Sequence, residues 1–164
     1  MKASILATTA FVFALSTSAF AQQMSAEEFA TTAASSDMFE ITSSELAKEK
    51  GRSDAVKEFA DQMIADHTRA SQELAVAAEA AGVNLPGAMI EKHAAQVEQL
   101  DALPGDQFDA AYIDAQVAAH EEALALMQGY AEGGDNEALK AHAAKTAPVI
   151  ESHFEHVKKL DSGS

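Results

Sequence analysis

"VKEFADQMIADHTRASQEL", residues 56–74, is the stretch whose reading decides the fold. Its apolar positions Val56, Ala60, Met63, Ala70 and Leu74 recur in steps of four and three. That is the seam of a helix in a left-handed bundle. One position on the seam breaks the pattern: His67 stands where a core wants an aliphatic side chain.

Outward from this helix, breakers divide the chain. They are "KGRS" at 50–53, "GVNLPG" at 82–87, "LPGD" at 103–106 and "EGGDN" at 132–136. Between them the composition is rich in Ala, Glu, Gln, Lys, Leu and Met, without β-branched or aromatic runs, and so predicts helix. A first helix is expected over 25–50, with Ser25 and Glu28 as a capping box. A second spans 53–81 and stops at Gly82. A short segment fills 87–103. A third long helix follows Asp106 to about residue 131, and a fourth follows Asp135 to about residue 160.

The third long helix carries a stripe of Ile113, Val117, His120, Leu124, Met127 and Ala131. The fourth carries Leu139, Ala143, Thr146, Ile150, His153, Val157 and Leu160. The first is looser, with Phe29, Ala33, Ser36, Glu40, Ser44 and Ala47. The expectation is an all-α fold: an antiparallel four-helix bundle of ferritin-like type, with an extra short helix in the crossover between helices 2 and 3. Pro148 lies inside the fourth helix and predicts a kink.

Composition sets the class of partner. The chain has 164 residues, no cysteine and a formal charge of −15. Nucleic acid is not an expected partner for so acidic a chain. "MKASILATTAFVFALSTSAFAQQ" at 1–23 reads as a signal peptide, with cleavage expected after Ala21 and one domain over 22–164. The apolar run is too short to span a bilayer, so no membrane insertion is expected after cleavage. The expected location is the periplasm, and without a cysteine the chain is not a lipoprotein.

Each long helix thus places one strongly polar group on its seam: Glu40, His67, His120 and His153. Buried alone, each costs free energy; together they can form a hydrogen-bonded network or bind a transition metal. Counted from the "GR" turn, Glu40 and His67 come level. Counted from the "GG" turn, His120 and His153 stay one helical turn apart. The residues three before the histidines are Ile64, Val117 and Ile150, so the Glu-x-x-His motifs of a di-iron bundle are missing. Met63 and Met127 suit a copper site but read first as core. Asp66 is expected at the surface or as a partner behind His67. His93 is read as packing or surface, His142 as surface, and His153 with His156 as a second possible chelating pair.

Four stretches, "MFEITSSELA", "VKEFADQMIADHTRASQEL", "FDAAYIDAQVAAHEEAL" and "TAPVIESHFEHVKKL", resemble in order and spacing the exported bacterial family called domain of unknown function 4142. The resemblance covers residues 26–160. It implies a ferritin-like helical bundle and no particular activity. The recurring Glu and His of that family fall on Glu40, His67, His120 and His153, and Asp66, Phe108 and Pro148 match as well. Two functions follow. The first is a non-enzymatic bundle that binds a protein partner or a second copy of itself, or supports the envelope under stress, around a Glu/His network. The second is a ferritin-like protein binding iron, manganese, zinc or copper.

Overall fold

The computed structural model describes residues 24–162. The expected leader and its cleavage after Ala21 lie outside the described residues. Five helices follow one another: α1 (Ala26–Lys50), α2 (Asp54–Ala81), α3 (Glu91–Asp101), α4 (Gly105–Gly133) and α5 (Glu137–Ser162). The described residues contain no strand.

Local chemistry sets the helix ends. Ser25 and Glu28 form the expected capping box on α1. Gly82, at φ 70°, closes α2 in the left-handed region that glycine adopts without strain. The start of α2 is held from a distance. The Asp109 carboxylate, on α4, accepts from the backbone N–H of Arg52 at 3.1 Å and of Ser53 at 2.8 Å, while the Ser53 side chain makes no capping bond. Gly51 permits this approach, because a Cβ there would lie 3.0 Å from Asp109 Oδ1 and 2.4 Å from the Ala47 carbonyl oxygen. Asn136 caps α5 through its side-chain oxygen, which accepts from Ala138 and Leu139.

Helix α1 packs on α2 and α4, and α5 packs on the same two. Two apolar clusters give the directions. One joins Ala47 and Val56 to Phe108 and Val157; the other joins Phe29 and Leu74 to Met127 and Leu139. The end of α1 therefore meets the starts of α2 and α4 and the end of α5. Helices α2 and α4 run parallel, and the chain between them must return along the bundle. Helix α3 is that return, laid over α1 and α4. It is shorter than the expected 87–103, because the chain bends at 87–88 and is extended at Ile90 before the helix begins.

Two expectations shift. The buried face of α4 is Phe108, Tyr112, Ile113, Gln116, His120, Ala123, Met127 and Tyr130, turned from the expected stripe, with Val117, Leu124 and Ala131 half-buried. Its neighbours α1 and α3 cover that side. Helix α1 leaves Ser36 of its expected seam half-buried and buries Ser35, Asp37 and Ser43 off it, because α2, α3 and α4 all lie against it. Helix α5 is unbroken through Pro148.

Candidate metal centre

Glu40 (α1), His67 (α2), His120 (α4) and His153 (α5) lie in one layer between the two apolar clusters, each with 1–2% of its surface exposed. The three imidazoles face one another: ring centroids are 5.9 Å apart for His67–His120 and 5.6 Å for each pair with His153. One nitrogen from each ring lies within 4.8 Å of the other two. Glu40 Oε1 stands 3.8 Å from His120 Nδ1.

The register that brings them level is the same in both hairpins. Glu40 stands ten residues before the end of α1, and His67 thirteen after the start of α2. His120 stands thirteen before the end of α4, and His153 sixteen after the start of α5. Each offset is three residues, about 4.5 Å. Side chains tilt towards the helix N-terminus, which reduces it to about 1.5 Å. The expected one-turn mismatch of His120 and His153 is thus corrected: α4 continues through Gly133, and the turn centres on Asp135.

Each ring is oriented from behind. His67 Nδ1–H donates to Asp37 Oδ1 at 2.9 Å. His120 Nδ1–H donates to the Gln116 carbonyl oxygen at 2.9 Å. His153 Nε2–H donates to Asp66 Oδ2 at 2.9 Å. A neutral imidazole with one nitrogen donating has a lone pair on the other. Those other atoms, His67 Nε2, His120 Nε2 and His153 Nδ1, are buried without a hydrogen-bond partner among the described residues, as are both carboxylate oxygens of Glu40. This is the arrangement in which an outer acceptor fixes the tautomer and ring of a metal ligand.

Burial governs the protonation of the layer. It raises the Glu40 carboxyl above the ordinary carboxylate range. It pushes His120 and His153 down to about 4. For His67 burial again pulls downward, but the bond to Asp37 and the charges of Glu40, Asp37 and Asp66 outweigh it, so the ring holds its second proton more firmly than usual, and Nε2 offers its lone pair once that proton has left.

The donor set fits one ion. Asp37 and Asp66 are already used as acceptors behind the rings, and Glu40, the other buried carboxylate of the layer, has Oε1 3.8 Å from His120 Nδ1, the nitrogen that bonds Gln116, outside the close set of three imidazoles. A ferritin-type pair of irons needs four carboxylates and two histidines, and these residues do not fit it. Three converging imidazoles suit a mononuclear zinc, iron, manganese or copper ion. Tetrahedral bonds of about 2.1 Å would bring the nitrogens to about 3.4 Å from one another, a small contraction of the layer.

Several residues behind the centre were not legible in the sequence. Asp37 and Gln116 lie off the predicted seams. Gln116 is fully buried and donates through Nε2 to Ser43 Oγ at 3.2 Å. One position further along α1, Ser44 pairs with Tyr112 at 2.8 Å. Asp66 is a partner of His153 on α5, where the sequence suggested a surface charge or a partner of His67. His93 packs on Phe39 and bonds Ser35, as a packing residue does. His142, expected at the surface, is 7% exposed. His156 bonds Gln62 and packs on Phe59, away from the layer, and the pair it could form with His153 is not assembled there.

A family model described as "Domain of unknown function (DUF4142)" matches residues 14–160. No curated protein matches the chain. Among solved structures, the crystal structure of a DUF305 fragment from Deinococcus radiodurans is similar, with a TM-score of 0.72 and 12% identity, covering 84% of this chain and 95% of that one. At that identity the likeness shows a shared fold.

Proposed function

The chain belongs to the family described as domain of unknown function DUF4142, and from that premise we propose that it holds one transition-metal ion on His67, His120, His153 and Glu40. One observation carries the reading: one nitrogen from each of His67, His120 and His153 lies within 4.8 Å of the other two, and His67 Nε2, His120 Nε2 and His153 Nδ1 are buried without a partner among the described residues. A self-contained hydrogen-bonded network would pair these atoms with one another, so the metal reading takes precedence over the network expected first from sequence.

In this reading Asp37, the Gln116 carbonyl and Asp66 hold the rings in their tautomers, and the two apolar clusters exclude water. The ion supplies a positive charge that neutralises Glu40. With three imidazoles, Glu40 beside them as the proposed fourth donor, and 1–2% exposure, the centre resembles a closed structural or storage site more than a catalytic one, which keeps a position open. The fold proposed with it is a ferritin-like four-helix arrangement of α1, α2, α4 and α5, supported by the parallel α2 and α4 and the return through α3. The protein is further proposed to be exported to the periplasm, which the leader-like residues 1–21 support.

The test is metal content. Purified without a histidine tag, the chain is expected to carry about one zinc, iron, manganese or copper ion per molecule. The His67→Ala, His120→Ala double variant is expected to carry none while remaining helical. Protein without an ion, and with a melting point indifferent to added metal and to chelator, overturns the reading.

A further inference from the structure

A centre this deeply buried needs a path to solvent. Helix α3 covers the face between α1 and α4. Of the three acceptors behind the rings, the Gln116 carbonyl belongs to a fully buried residue and the Asp37 side chain is 9% exposed, whereas the Asp66 side chain is 21% exposed. Asp66 opens onto a cleft of about 300 Å³ between α2 and α5, lined by Arg69, Ala70, Glu73, Lys145, Thr146 and Val149 besides itself. Val149 lies one turn before His153. Across the cleft Lys145 pairs with Glu73 at 2.8 Å, and Arg69 pairs with Asp66 at 2.7 Å. Solvent, Asp66 and His153 therefore stand in line, and beyond them lies the unpartnered His153 Nδ1.

The geometry points to the α2/α5 cleft as the route by which a hydrated divalent cation reaches the centre. Asp66 is the first carboxylate it meets, and His153 is the ligand that turns to admit it. This inference rests on the metal reading above. Asp66 acts through His153 and is a positioning residue. Its carboxylate attracts the cation in competition with Arg69, and it releases the imidazole when its own oxygens are engaged. The Lys145–Glu73 pair narrows the cleft and adds a positive charge against the cation. Among the described residues, the acceptors that hold His67 and His120 are more buried than Asp66: the Asp37 side chain is 9% exposed and Gln116 is fully buried.

The experiment mixes the metal-free full chain rapidly with Co²⁺ and follows the visible bands of the bound ion. Asp66→Asn keeps an oxygen that can accept from His153 and removes the charge. It is expected to slow uptake at least tenfold while leaving the final spectrum unchanged. Lys145→Ala is expected to speed uptake several-fold. Asp37→Asn, on the buried side, is expected to alter affinity and to leave the uptake rate within about twofold. Diethyl pyrocarbonate, read by mass spectrometry on the metal-free chain, is expected to modify His153 before His67 and His120. Uptake equally fast in wild type and Asp66→Asn, or prior labelling of His67 or His120, overturns the route alone. A wild-type chain that takes up no Co²⁺ overturns the metal reading and the route with it.

Discussion

Glu40 carries a cost that a bound cation removes. Its carboxyl is buried and its pKa is raised by that burial, so ionising it costs more in the metal-free fold than in water. Glu40→Gln keeps the shape and deletes the charge. In metal-free protein it is expected to raise the melting point by a few degrees, an effect of roughly 1–2 kcal/mol. In the same variant, titration calorimetry with Zn²⁺ is expected to show affinity at least tenfold weaker. A purely structural hydrogen-bonding role would give loss of stability and no effect on metal. The histidines set the pH response of the metal-free fold. His120 and His153 fall to about 4 from 6.5, so between those values the unfolded chain binds more protons at these sites than the folded one. Each therefore withdraws stability as pH falls from 6.5 to 4, up to about 3 kcal/mol apiece. His67 is raised; its contribution is complete below 6.5 and is lost as pH rises through its folded pKa. Glu40, also raised, likewise favours the fold at low pH and loses that contribution as pH rises. Urea unfolding at a series of pH values is expected to show a shallower slope between pH 6.5 and 4 in His120→Gln than in wild type.

At the scale of elements, the centre depends on where each hairpin turns. The α1–α2 joint is held by Asp109 of α4, which accepts from two backbone N–H groups at the start of α2. Removing that carboxylate leaves both donors without it. Asp109→Ala is expected to cost about 1–2 kcal/mol in denaturant unfolding. Ser53→Ala is expected to stay within about 0.5 kcal/mol, because the Ser53 side chain makes no capping bond. This contact has no local sequence signal, since capping motifs are local and Asp109 is 56 residues from Ser53. The same limit explains the register of His120 and His153. "GG" at 133–134 looks like the turn, but the Asn136 cap places it at Asp135, and a shift of one or two residues moves a level by a third to a half of a helical turn. The burial of Glu40, His67, His120 and His153 was legible, because three-four spacing selects inward positions on a helix with one buried face. Asp37 and Gln116 were not. On α1, covered by three neighbours, and on α4, turned by the crossover helix, burial is too wide for periodicity to isolate a single residue.

For the whole molecule, the polar layer is a break in the core. It separates an apolar cluster around Phe59, Phe108 and Tyr112 from another around Phe29, Leu74 and Leu139, so the hydrophobic effect binds each half more strongly than it binds the two together. The helix class, the crossover and the order of elements could be read from composition and breakers, since they depend on chain-local patterns. That the core divides at mid-height could not, because it is a property of four faces in register. An ion in the layer would join all four long helices at that height. A ligand that binds only the folded chain stabilises it by about 2.7 kcal/mol at a hundredfold excess over its Kd. Chelation is therefore expected to lower the melting point by several degrees. The loss should also have a location. Amide hydrogen exchange is expected to quicken first within about one turn of Glu40, His67, His120 and His153, while amides at Phe29, Leu74 and Leu139, and those at Ala47, Val56 and Phe108, keep their protection. Their packing survives removal of the ion. Uniform quickening along all four helices would mean that the layer adds stability without joining the halves. Unchanged exchange and an unchanged melting point after chelation would mean that the layer holds no ion.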